Sequence, residues 1–478
     1  MTDDLIESSV NGQTTPGPPM RQQTSPAIQA MVQDALRHHV EGRLADAERM
    51  YHEILCVDPE QADSLHLLGM IAYQSGCFEI AVELIQKAIA INGNVALFHS
   101  NLGNVLQAQR ELSKAGASYQ RALMLRPDLA ETWVNLGNIF KARAEVDSSL
   151  TCYRRALALN PELAEAAAGE SMALLLSGDF ASGWKHFDRR WQTKDFNSRM
   201  RVYPQPLWNG EKLASGRLLI WGEQGIGDEI MFAGLIPDVI RTGNRCFLDC
   251  DVRLKPLFAR SFPGVDVVSG FDPGSRPELK IGAHLPGGSL PGLFRATKDA
   301  FAATTSPYLV ADPAECERFR AKYGGGRTLV GLAWHTKNKT TGIDRCIELS
   351  LLAPLFAQPG IQWFSLQYGD HDALEKEVAG TPIFVDHTVD QFSDVDRFAA
   401  QITAMDLVIT IDNSTAHLAG ALGIPTWVLL PFAPDWRWML DREDSPWYPA
   451  MRLFRQTTTG DWQAVMRSVQ SALGQFAR

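Results

Sequence analysis

WGEQGIGDEIMF, residues 221–232, joins an apolar run to a helical pattern through two glycines and an acid. The run that leads into it, RLLIW at 217–221, reads as a buried strand. Beyond Asp228, the residues Ile230, Met231, Ala233 and Leu235 fall on one helical face. A strand, a Gly-bearing turn and a helix start make a loop whose backbone amides can face an anion. The same texture extends to both sides of it. Short apolar runs recur as NRCFLDC, VDVVSG, RTLVGLAW, IQWFSLQ, PIFVDH, MDLVITI and PTWVLL, separated by helical stretches and Gly/Pro/Asp turns. Alternating buried strands and helices predict parallel sheets flanked by helices. There are enough strands for two such sheets, with a break near 312–326, ADPAECERFRAKYGGGR. Two doubly wound domains, at 215–320 and 321–478, would enclose a cleft at their strand carboxyl ends.

Upstream the chain repeats itself. Gly69, Gly103 and Gly137 lie 34 residues apart, as do Leu68, Leu102 and Leu136, and Ala47, Ala81 and Ala115. Ala88, Ala122 and Ala156 keep the step, Tyr119 and Tyr153 share a register with Tyr51, and Pro59, Pro127 and Pro161 close their units. This pattern resembles the tetratricopeptide repeat, in which small residues let two helices approach and proline stops the second. Units fall at about 28–61, 62–95, 96–129 and 130–163, with a weaker one, ending in SGDFASGWKHFDRRW, that reads as a cap for a solenoid over 28–191. Such arrays commonly hold a protein segment in a concave groove. Asn101, Asn104, Asn135 and Asn138 recur in pairs and are candidates for binding an acceptor peptide there, solvated surface asparagines being the blander reading. An irregular linker is expected at 192–214.

Bulk properties exclude several classes. A chain of 478 residues exceeds a single core. The net charge of −10 offers no basic stripe for nucleic acid, and no stretch is long enough to span a bilayer. Residues 1–27 read as an acidic, polar, disordered tail without a signal-peptide core, so the chain is expected to be cytoplasmic with its seven cysteines reduced. Asp-X-Asp pairs at Asp249/Asp251, Asp370/Asp372 and Asp394/Asp396 arise readily among 55 acids, and no Cys/His cluster has zinc spacing. No metal and no cofactor are expected.

A second loop mirrors the first. In ITIDNSTAHLAGALGIP, 409–425, a strand ends at Asp412, Asn413-Ser414-Thr415 cap a small-residue helix, and the free amides there suit a diphosphate. Together with PLWNGEKL (206–213), EQGIGDEIMF (223–232), GLAWHTKN (331–338), WFSLQYGD (363–370) and the later DWRWMLDREDSPWYPAMRLFRQ, it makes the stretch from Pro206 onward resemble the glycosyltransferase domain of bacterial tetratricopeptide-repeat glycosyltransferases. Those enzymes are similar to the heptosyltransferase family. The resemblance implies a GT-B fold of two Rossmann-like domains, the first on the acceptor side and the second on the nucleotide-sugar side, with a last helix that can cross back. It also implies metal-independent transfer of a sugar from a nucleotide-sugar donor to a protein acceptor, flagellin in the most similar members. Lipid or polysaccharide acceptors, and a scaffold with an inactive transferase domain, are the alternatives.

The resemblance also distributes roles. Asp228 would be the base that takes the acceptor's proton, its plainer role being the cap of the following helix. Gly225 and Gly227 would let backbone approach substrate or supply a positive φ. The departing diphosphate would be held by the amides of Asn413, Ser414 and Thr415, with Lys337, Lys339 or Arg345 supplying charge; Cys346 stands where relatives carry a further arginine. Gln367 would meet the base or ribose, and Asp412 would hold its loop. His417 would be catalytic or a structural hydrogen-bonder. Trp334, Trp436 and Trp438 would wall the sugar or pack in a core.

Overall fold

The computed structural model describes residues 25–196, 198, 200–272, 279–337 and 342–476; most of the expected tail, and Lys339, lie outside them. The chain forms two compact units, up to Gly169 and from Glu170.

The first unit is a tetratricopeptide-repeat solenoid of paired helices. They are α1 (Pro26–Val40) with α2 (Leu44–Val57), α3 (Ala62–Gln74) with α4 (Phe78–Ile91), α5 (Ala96–Ala108) with α6 (Leu112–Leu125), and α7 (Ala130–Ala142) with α8 (Val146–Leu159). Their small residues are tight contacts. A Cβ added to Gly103 would sit 2.4 Å from the Tyr119 ring, and one on Gly137 would sit 2.8 Å from that of Tyr153. Each glycine is therefore the socket for the tyrosine of its own repeat. α9 (Ala164–Ser177) contains the boundary between the units. After it the repeat pattern fails: only Phe180–Gly183 is α-helical, and Trp184–Gln192 continues as a 3₁₀ helix.

The second unit holds two wholly parallel sheets. β1 (Arg217–Trp221), β2 (Cys246–Asp249), β3 (Asp266–Val268) and β4 (Ile281–Pro286) assemble in the order β3-β2-β1-β4. β5 (Thr328–Ala333), β6 (Ile361–Ser365), β7 (Ile383–Phe384), β8 (Leu407–Ile411), β9 (Thr426–Leu430) and β10 (Met451–Arg455) assemble as β10-β9-β8-β5-β6-β7. Counted from its own first strand, the second sheet runs 3-2-1-4-5-6, and the first sheet runs 3-2-1-4. Both are doubly wound, so each has a switch point where successive connections leave in opposite directions. Those points lie beside β1 in one sheet and between β5 and β8 in the other.

Two strands escaped sequence reading. β4 carries Gly282, His284 and Pro286, and in β10 exposed Arg452 sits between apolar residues, so neither forms a continuous apolar run. Each lies at a sheet edge, where its outer side meets only an isolated bridge, Leu207 to His284 on β4 and Asp444 to Arg452 on β10, and no further strand. The helix after β1 is α10 (Ile226–Ala233), the helix after β8 is α11 (Ser414–Ala421), and these two pack on each other. The terminal helix α12 (Trp462–Phe476) does not cross back; Trp462, Val465, Met466, Val469 and Leu473 bury themselves in the core of the second sheet.

Candidate active site

Both loops singled out in the sequence stand at switch points, and they face one another. A Cβ on Gly227 would lie 3.1 Å from His417 Cδ2 and 3.4 Å from Ser414 Cα. Neither Gly225 nor Gly227 has a positive φ, so the expectation of a left-handed turn is corrected: Gly227 is needed because α10 and α11 meet with almost no side chain between them. The left-handed residue is Gln224, at φ 64°, a conformation non-glycine residues seldom adopt outside constrained sites. Its backbone N–H donates to Ser198 Oγ at 2.6 Å.

The loops border a cleft of about 550 Å³. Gln224, Gly225, Gly227 and Asp228 line one side; Asp412, Asn413, Ser414, His417, Asp435 and Arg437 line the other; Lys337, Arg345 and Tyr368 also line it. Four cations (Arg253, Lys337, Arg345, Arg437) meet three acids (Asp228, Asp412, Asp435) around it.

Asp228 caps α10: its Oδ2 accepts the Gly225 backbone N–H at 3.2 Å. Its Oδ1 pairs with Arg437. Arg437 is held in turn by Asp435, whose Oδ1 accepts from the Arg437 backbone N–H at 3.0 Å and from Nη1 at 2.7 Å. The guanidinium rests 4.5 Å from the Trp436 ring centre. Burial works to raise the Asp435 carboxyl, but Arg437 outweighs it and holds the pKa below the usual range. Asp412 moves the other way: burial raises it, and Arg345, 3.0 Å from Oδ2, only partly offsets this.

Asn413 is the N-cap of α11. Its Oδ1 accepts from Ala416 N–H at 3.2 Å and from Thr410 Oγ1 at 3.1 Å. Its Nδ2 is buried and, among the described residues, finds no hydrogen-bond partner. Since buried donors are nearly always paired, this one is notable in a cleft wall. Thr415 is fully buried inside the helix, so its side chain is not presented to a ligand. His417 is 5% exposed and stacks on Trp438, with ring centres 5.4 Å apart. Its Nδ1 is 2.9 Å from Tyr448 Oη. Burial, then the charge of Arg437, pushes its pKa down to about 4, so the ring is neutral near pH 7.

Other assignments are corrected. Gln367 is wholly buried and its Oε1 accepts from the backbone N–H groups of Trp334 and His335 at 3.1 and 3.0 Å; it braces the loop after β5 instead of meeting a nucleotide. Trp334 lies in the second-sheet core with its indole N–H on Glu377 at 2.7 Å, so it walls no cleft. Trp436 and Trp438 are buried behind the cleft, Trp436 edge-on to Trp184 and Phe187. The asparagines are corrected too. Asn101 and Asn104 are buried: Asn101 Nδ2 donates to His66 Nε2 at 2.8 Å, and Asn104 Oδ1 accepts from Tyr119 Oη at 2.8 Å and Asn135 Nδ2 at 3.0 Å. Asn138 Oδ1 accepts from Tyr153 Oη at 2.7 Å. Asn135 and Asn138 are half-buried; Tyr119 and Tyr153 each take an amide of their own repeat as partner, and Asn135 links its repeat to the one before.

Sequence reading missed Arg437, Asp435, Tyr368 and Arg253. The signal for the first two was present in DWRW, where an acid and an arginine two residues apart alternate with the tryptophans. It also missed the buried Arg190, whose Nη2 sits 2.7 Å from Glu223 Oε1, while Glu223 accepts the Gly288 N–H at 2.7 Å; this pair ties the 3₁₀ segment to the loop after β1. Among the described residues no group of three or more His, Cys, Asp or Glu is placed to hold a metal, and no helix is long and apolar enough to cross a membrane.

Comparison with known proteins agrees with the repeat reading. The tetratricopeptide-repeat family model matches residues 132–167. Protein FlbA of Caulobacter vibrioides (strain ATCC 19089 / CIP 103742 / CB 15) is 35% identical over 328 residues, covering 64% of this chain and 54% of FlbA, so the chain spans about half the length of that relative. Among solved structures, the crystal structure of MamA is similar at 22% identity with a TM-score of 0.31, over 32% of this chain and 91% of MamA. YrrB, described as a TPR protein with an unusual peptide-binding site, is similar at 18% identity with a TM-score of 0.30, over 33% of this chain and 82% of YrrB.

Proposed function

We propose that the protein is a metal-independent GT-B glycosyltransferase that moves a sugar from a nucleotide-sugar donor to a protein acceptor recruited by its repeats. The observation that carries this reading is the cleft itself. Two strand–turn–helix loops, each at the switch point of a parallel sheet, face one space with a net excess of cationic side chains and the unpartnered Asn413 Nδ2 in its wall. Amides at the start of α11, with Lys337, Arg345 and Arg437, suit a diphosphate. In the reaction the acceptor oxygen bonds to the anomeric carbon as the bond from that carbon to the diphosphate breaks. The diphosphate oxygen keeps the electron pair, and Asp228 takes the acceptor's proton. The repeats give the acceptor its class, a protein segment; flagellin follows from the family resemblance described for the sequence.

A direct test is thermal stabilisation by UDP, GDP, ADP, dTDP and CMP. A ligand at a hundred times its dissociation constant adds about 2.7 kcal/mol, an easily read shift. One nucleotide is expected to shift the melting point, and Asn413→Leu is expected to abolish that shift. No shift with any of them overturns the reading.

A second reading has support of its own. Both carboxylate oxygens of Asp228 already have partners, Gly225 and Arg437, which is how a structural cap in a non-catalytic scaffold would look. Asp228→Asn separates the two. As the base, it loses at least a hundredfold in turnover while diphosphate binding persists; a scaffold has no turnover to lose and shows no transfer in either form.

A further inference from the structure

We propose that Arg437 is an exchangeable cation: paired with Asp228 as the structure shows, it turns to the diphosphate of the nucleotide sugar when that binds, and so releases Asp228 to act as base. This rests on the donor-site reading above and adds the order of events to it.

Arg437 is the side chain that joins the two loops. It lies 209 residues from Asp228 in the chain, on the other sheet's side of the cleft, and also reaches Gln224 Oε1 at 3.4 Å. Its anchors and its exchangeable partner are separate. Asp435 holds Nη1 and the backbone N–H, and Trp436 supports the guanidinium plane, all from the same short 3₁₀ segment. Asp228, from α10, takes only Nη2. Losing Asp228 therefore leaves the fork aimed and anchored. The Arg437 Nε–H is buried and has no partner among the described residues, so of the fork's donors this one is held by no protein group.

The competition favours a diphosphate. A carboxylate offers one charge, whereas a diphosphate offers at least two and several oxygens that suit the guanidinium fork. Lys337 and Arg345 line the same cleft and add to the anion's side of the balance. The released Asp228 Oδ1 is then free to accept an acceptor hydroxyl, while Oδ2 stays on Gly225 as the cap. Donor must bind before acceptor can be deprotonated, which keeps the base engaged until there is a sugar to transfer.

The test is a double-mutant cycle on the full chain, read as dissociation constants for UDP, GDP, ADP, dTDP and inorganic pyrophosphate. Asp228→Asn removes the competitor and is expected to tighten the binding nucleotide about fivefold or more, the low end of typical site-to-site coupling. Arg437→Met is expected to weaken it by tenfold or more, and to erase the gain from Asp228→Asn when the two are combined. Arg437→Lys keeps a cation in the fold and is expected to erase most of that gain, which covers the case of a methionine variant that does not fold. A gain that persists in full without Arg437 would mean simple charge repulsion and overturn the proposal. So would Asp228→Asn leaving affinity unchanged or weaker, which makes the pair a permanent strut. Failure of the unaltered chain to bind any probe overturns the donor-site reading instead.

Discussion

His66 illustrates how much of the solenoid is decided by single polar atoms. Its Nε2 accepts from Asn101, Asn101 Oδ1 accepts from Asn104 Nδ2 at 3.3 Å, and Asn104 in turn receives Asn135 from the next repeat. The line crosses three repeats, so truncating one member strands the others. Asn101→Leu is expected to cost about 1–3 kcal/mol in denaturant unfolding, because His66 and Asn104 lose partners in a dry interior. Protonating His66 would place a donor against the Asn101 amide. Burial accordingly pushes its pKa down to about 3, from an ordinary 6.5. The folded value is the depressed one, so His66 contributes full stability above about pH 6.5, and that contribution is lost as pH falls toward 3. His66→Gln is expected to flatten the pH dependence of unfolding in that window; an unchanged slope would show that the ring does not titrate with folding. Glu229, on α10, behaves inversely. Burial raises its carboxyl to about 7, so its contribution is full below about pH 4.5 and declines as pH rises through 7.

Elements were legible where a face is apolar and regular. The helix pairs fall where the 34-residue spacing of Gly, Ala, Tyr and Pro puts them, since each repeat needs the same small-residue socket. That socket predicts a sharp response. Gly103→Ala is expected to destabilise by roughly 1–3 kcal/mol despite alanine's better helix propensity, because the new methyl overlaps the Tyr119 ring. A neutral or raised melting point would show that Tyr119 can swing aside. In the second unit, eight strands announced themselves as apolar runs, while β4 and β10 did not. An edge strand needs no continuous apolar run when one flank has no neighbouring strand. The fifth repeat shows the opposite limit. Its aromatic spacing continues and Gly183 still packs tightly on Leu175, but Arg190 stands where earlier repeats carry Ala88, Ala122 and Ala156, and the second helix gives way to a 3₁₀ segment carrying Arg190 to Glu223.

At the scale of the whole chain, the proposal divides labour between a unit that recognises protein and a unit that carries chemistry. A chain beginning at Leu163 is expected to bind the active nucleotide within about threefold of the full chain, a difference below 1 kcal/mol, yet to transfer no sugar to a protein acceptor. Transfer to the protein at an undiminished rate would remove the repeats from acceptor recognition. Periodicity alone determined that there would be a repeat solenoid and parallel sheets, and local chemistry marked the two loops, because helix caps, turns and apolar faces depend on residues near one another in sequence. Which side chains face the cleft was decided only in three dimensions. Gln367, Trp334 and Asn101 had the right residue types for ligands, but the fold gave their polar atoms to neighbouring backbone or side chains. Arg437 and Asp228 stand far apart in the chain, and their pairing exists because doubly wound sheets bring switch points to one place. Burial sets the outcome: a polar group taken out of water must find a partner, and the partner it finds is a property of the packing.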